Sequence, residues 1–74
     1  KGMPIILNAA NEVAVDLFLK NKISFLSIYD LISSTLNYAD KSNMNLTSVS
    51  LSSIIKFNQE AKDIALNYSS KFIK

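Results

Sequence analysis

The chain has 74 residues, with eight lysines and no arginine against six acids, for a formal net charge of +2. That length bounds it to one domain. The absence of Cys and His excludes disulfides and the usual zinc sites. A domain this small buries only about 60% of its unfolded surface, so a partner surface is the remaining route to stability. Apolar residues make up 49% of the chain, enough for a packed core. The lysines are scattered, with no basic block and no arginine fork for phosphate or guanine. No nucleic-acid partner is expected, and no membrane partner. The longest apolar run, "MPIIL", falls far short of the roughly 20 residues that span a bilayer.

The first helix is expected from Pro4 to about Lys20. Proline suits the first helical position, where its missing N–H costs nothing. Lys20 places a cation at the negative pole of the helix, and Asn21 is a candidate left-handed cap. At about 100° per residue, Ile6, Ala10, Val13, Ala14 and Leu17 gather on one core-facing side. Pro4, Asn8, Asn11, Glu12, Val15 and Leu19 gather roughly opposite. A helix apolar nearly all round is usually buried on more than one side.

The second helix is expected from Leu26 or Ser27 to about Ala39, with Ser24 the better cap. Phe25, Ile28, Leu31, Ile32, Thr35 and Leu36 recur at helical spacing and predict its core face. Residues 40–45, "DKSNMN", have turn chemistry. Ser50 or Thr47 can cap a short helix holding Leu51, Ile54 and Ile55. Asn58 then offers a fresh N-cap, with Glu60 in the first turn of a last helix from Gln59 to about Phe72. Ala61, Ile64, Ala65, Tyr68 and Phe72 line that helix. The expected fold is all-α, a small four-helix bundle-like domain of three longer helices and one short one.

Three functions compete for Asn8, Asn11 and Glu12. They form a solvated face with a weak Asn8–Glu12 pair, or a hydrogen-bonding network facing another domain or subunit, or a catalytic group. The network is favoured, with Asn8, Asn11, Glu12, Val15 and Leu19 as packing and hydrogen-bonding residues. A lone Glu with two amides lacks a nucleophile, a second acid or a metal partner nearby in sequence. Asp16–Lys20 is an i,i+4 surface pair, and a metal role for Glu60 and Asp63 is not expected. Tyr29, Tyr38 and Tyr68 are expected at the edge of the core, and Met3 and Met44 as gap fillers or partner contacts. No catalytic, cofactor-binding or metal-binding residue is assigned within the chain.

The run "PIILNAANEVAVDLFLKNKISF" resembles one family, the C-terminal domain of 1-deoxy-D-xylulose 5-phosphate reductoisomerase. Pro4, Leu7 through Glu12, Val13 to Val15, Phe18–Leu19, Ile23, Phe25 and Ile28 carry the likeness. Downstream, Ser50–Leu51, Asn58 and Ala61–Lys62 stand where the family has Ser-Leu, Asp and Ala-Arg. Asn for Asp keeps an N-cap, whereas Lys for Arg loses the planar fork.

The resemblance implies that residues 1–74 are one helical domain at the end of a larger enzyme. That enzyme would convert 1-deoxy-D-xylulose 5-phosphate to 2-C-methyl-D-erythritol 4-phosphate on the non-mevalonate isoprenoid route. It would use NADPH and Mg or Mn, none of them bound by this fragment, and act as a homodimer. The partners would be the remaining domains of the same chain. The excess of Asn, Ile and Ser and the lack of Arg point to an AT-rich genome. A plastid (apicoplast) enzyme is therefore the expectation, and a bacterial-type cytoplasm the alternative. A free-standing helical interaction module, binding a separate protein through the same face, is the rival from another class.

Overall fold

The computed structural model describes residues 2–46 and 50–73. Three helices hold most of them: α1 (Met3–Leu19), α2 (Phe25–Lys41) and α3 (Leu51–Ser69). The all-α class holds, but the expected four helices are three. The short helix at Leu51 and the last helix are one continuous α3. Nothing between Leu51 and Gln59 breaks a helix, since the stretch holds neither Gly nor Pro. Asn lowers helix propensity by only a few tenths of a kcal/mol, and burial of Phe57 and Ala61 on one face outweighs that. Asn58 is therefore a half-buried mid-helix residue, not an N-cap, and Glu60 lies far from a helix end.

The caps explain the boundaries. Ser24 and Ser50 each hold extended backbone and accept from the N–H of Ser27 and Ser53, at 3.3 and 3.2 Å. These caps start α2 at Phe25 and α3 at Leu51, one residue earlier than expected for α2. The alternative cap Thr47 lies outside the described residues. α2 runs on through Asp40 and Lys41, so the loop begins at Ser42. Asn21 (φ 61°) and Asn43 (φ 55°) take the left-handed conformation after α1 and α2, which Asn tolerates better than most residues. α3 ends at Ser69, three residues short of expectation, and Phe72 packs on the core from the turn beyond it.

Two apolar clusters set the topology. One joins Ile6 and Ala9 of α1, Ala39 of α2, and Phe57 and Ala61 of α3. The other joins Ala10, Val13 and Ala14 of α1, Ile23, Leu31 of α2 and Ala65 of α3. The start of α1 thus meets the end of α2 and the start of α3, so the helices run up, down and up. Ala9, Ala10, Ala14, Ala39, Ala61 and Ala65 are all fully buried. Small side chains let the helix axes approach closely, but each removes little apolar area from water. Among the described residues the largest fully buried side chains are Ile6, Ile23, Leu31 and Thr35. Thr35 fits there because its hydroxyl donates to the Leu31 carbonyl at 2.9 Å. Met3 and Met44 fill the edge of the first cluster.

Gly2 is the N-cap of α1, with φ 90°. A Cβ at this position would lie 2.7 and 2.8 Å from two atoms of the Phe57 ring. The single glycine of the chain is therefore fixed twice, by its backbone angle and by the aromatic ring closing the bundle end.

Candidate functional site

The inner side of α1 is made by Ile6, Ala9, Ala10, Val13 and Ala14, all buried. Both other helices pack on that side, which leaves the opposite side open. Pro4, Leu7, Asn8, Asn11, Val15 and Leu19 stand on it, and all are exposed. Leu19 keeps 75% of its surface and Leu7 47%, so the open side is apolar at both ends. Between them lie the two amides. Among the described residues neither Asn8 nor Asn11 makes a side-chain hydrogen bond, so each presents two donors and an acceptor outward.

Glu12 departs from this face. Its carboxylate lies 3.6 Å from the Lys62 ammonium of α3, so it turns to the α1–α3 side. The Asn8–Glu12 pair of the solvated-face alternative does not form; the cross-helix charge wins over a neutral amide one turn away. Lys62 makes a point-charge contact, where an arginine could offer a bidentate one. With the carboxylate 62% exposed, the pair contributes at most about 1 kcal/mol. Asp16 and Lys20 form the expected i,i+4 pair at 3.1 Å.

Four residues of the open surface were assigned elsewhere by sequence or left unassigned. Phe25 was expected in the core and Tyr29 at its edge, yet they are 70% and 74% exposed. Phe25 opens α2 on the side turned away from the buried Leu31 and Thr35. Tyr29, one turn on, points to the same side. Leu26 is 81% exposed, and the Phe18 ring meets Phe25 edge to face at 5.8 Å. The legible signal was the sequence "FLSIY", apolar nearly all round a helix and therefore more than one core can absorb. Tyr38 and Tyr68 pair edge to face at 5.9 Å over the α2–α3 side, as core-edge residues do.

Among the described residues no three His, Cys, Asp or Glu side chains gather as a metal site would require. No described helix is long and apolar enough to cross a membrane. What the chain does offer is one broad, largely uncharged surface over the outer sides of α1 and α2.

The comparisons with known proteins agree with the sequence resemblance. Residues 1–64 match the family model described as DXP reductoisomerase C-terminal domain. A 1-deoxy-D-xylulose 5-phosphate reductoisomerase of Clostridium botulinum (strain Hall) is 51% identical over 61 residues, which are 82% of this chain and 15% of that protein. A reductoisomerase of the same name from Nitratidesulfovibrio vulgaris (strain DP4) is 58% identical over 40 residues, 54% of this chain and 10% of that protein. The chain thus spans about one seventh of the length of the Clostridium botulinum relative. No solved structure matches it.

Proposed function

Because the chain belongs to the DXP reductoisomerase C-terminal domain family, we propose that it is the C-terminal helical domain of a longer reductoisomerase. The whole enzyme would convert 1-deoxy-D-xylulose 5-phosphate to 2-C-methyl-D-erythritol 4-phosphate with NADPH and Mg or Mn, as a homodimer. Among the described residues no three metal-ligating side chains gather; metal and cofactor would be held by other parts of that enzyme. The role of this domain is mechanical. Asn8, Asn11, Val15 and Leu19 pack and hydrogen-bond against the rest of the protein and brace its catalytic part; Glu12, one side on, ties α1 to α3. Both relatives are bacterial, which favours a bacterial-type cytoplasm over a plastid.

The observation that carries this reading is the open side of α1. A core built on alanines stabilises a chain of this size weakly, while apolar side chains and unpaired amides stay exposed on one face. A partner surface supplies what the core lacks. That the match fills only 15% of a longer relative favours a partner within one polypeptide over a separate protein.

A chimera tests the proposal. The matching segment of the Clostridium botulinum enzyme is deleted, or replaced by this chain. Deletion should abolish NADPH oxidation with 1-deoxy-D-xylulose 5-phosphate, and replacement should restore it. Asn11→Leu in the chimera should lower its stability or its turnover. A deletion protein as active as its parent refutes the bracing role, and an Asn11→Leu chimera unchanged in both properties removes Asn11 from the joint.

A further inference from the structure

The largest apolar exposure is not at the middle of α1 but where its end meets the start of α2. Val15, Phe18 and Leu19 lie within about one turn of α1, and Phe25, Leu26 and Tyr29 within the opening turns of α2. The Phe18–Phe25 edge-to-face contact joins the two groups into one patch. Leu19, Phe25, Leu26 and Tyr29 are each at least 70% exposed, and Phe18 and Val15 over a third. At roughly 200 Å² per large apolar side chain, these six present about 750 Å². A typical monomer's largest apolar patch is about 300–600 Å². One partner in a standard stable interface contributes about 800 Å².

The patch is also held in shape. The turn beneath it is pinned by Ile23, fully buried, and by the Lys22 N–H donating to the Leu17 carbonyl at 2.8 Å. A surface rigid before binding loses little entropy on docking. Its composition is that of an interface centre, two Phe, a Tyr and aliphatics, with the nearest charges at the rim.

We propose that this aromatic end of the α1–α2 hairpin is the anchor of the joint, and that it is covered by an apolar surface of the same polypeptide outside these 74 residues. The inference rests on the domain reading given above. Two observations select that occupant over a separate protein. The match fills 15% of the Clostridium botulinum relative, so most of such a protein lies outside the domain. The patch itself carries no charge to steer a diffusing partner, whereas a tethered one arrives at high effective concentration without steering. Asn8 and Asn11 then set register at the margin of the joint, and the aromatic end supplies most of its binding.

These 74 residues hold no cysteine, so an introduced one is the single thiol of the domain. Leu26→Cys, Tyr29→Cys and, on the exposed outer side of α3, Gln59→Cys are made singly in the chimera with the Clostridium botulinum enzyme. Each is treated with a maleimide, and its rate is compared with the same variant unfolded in guanidinium, followed on the peptide by mass spectrometry. The cysteines at 26 and 29 should react at least tenfold more slowly in the folded chimera, and the cysteine at 59 within about threefold of its unfolded rate. Fast labelling at 26 and 29 in an active chimera overturns the anchor and leaves the domain reading standing. Fast labelling in an inactive chimera overturns both.

Discussion

Replacing Gly2 by Ala probes the bundle end through two separable effects. The first is the backbone: φ is 90°, and an L-residue in the left-handed region is disfavoured by about 1–2 kcal/mol. The second is the ring of Phe57, whose atoms lie 2.7 and 2.8 Å from the new Cβ. The ring is buried against Ile6, Ala9 and Ala61, so it must shift within a packed cluster; overpacking of that kind costs about 1–3 kcal/mol. Together they remove roughly 2–5 kcal/mol. At roughly 0.05–0.15 kcal/mol per residue, a chain of this length holds only about 4–11 kcal/mol in all. Thermal unfolding followed by far-UV circular dichroism should show a fall of at least about 8 °C. Repeating the change in a Phe57→Leu background removes the ring, and the penalty should shrink to the backbone part, a coupling of about 1 kcal/mol or more. A Gly2→Ala chain melting within about 2 °C of its parent refutes the close approach. So does an equal penalty in both backgrounds, which would leave the backbone angle alone responsible.

Two further changes test the helix ends and the core. Asn43 holds φ 55° at the exposed turn after α2, so Asn43→Gly should raise stability by up to about 1 kcal/mol in a urea titration. A loss instead would show that the Asn side chain, not its backbone angle, keeps the turn. Thr35→Val removes a fully buried hydroxyl that bonds only to the carbonyl of its own helix, which keeps its helical N–H donor. The variant should melt within about 1 kcal/mol of the parent, and a drop of 2 kcal/mol or more would mean the hydroxyl holds something besides the Leu31 carbonyl.

The helices of this protein were legible because their signals are local. Ser24 and Ser50 cap, Asn21 takes the left-handed turn, and Ile6, Ala10, Val13 and Ala14 share one side, each as spacing alone required. The family, too, is written in one ungapped run from Pro4 to Phe25. Three things were not legible, and each depends on what a second helix does. Asn58 has cap chemistry, but Phe57 and Ala61 hold α3 continuous by packing on α1. Glu12 lies on the outer side of α1 in projection, yet a lysine 50 residues on draws it toward α3. Phe25 shares the spacing of the core face and Tyr29 the chemistry of its edge, but the other helices leave that side of α2 uncovered. Periodicity fixes which residues share a face. Which faces are covered is a matter of the packing of neighbouring elements, and that is decided only when the three helices come together.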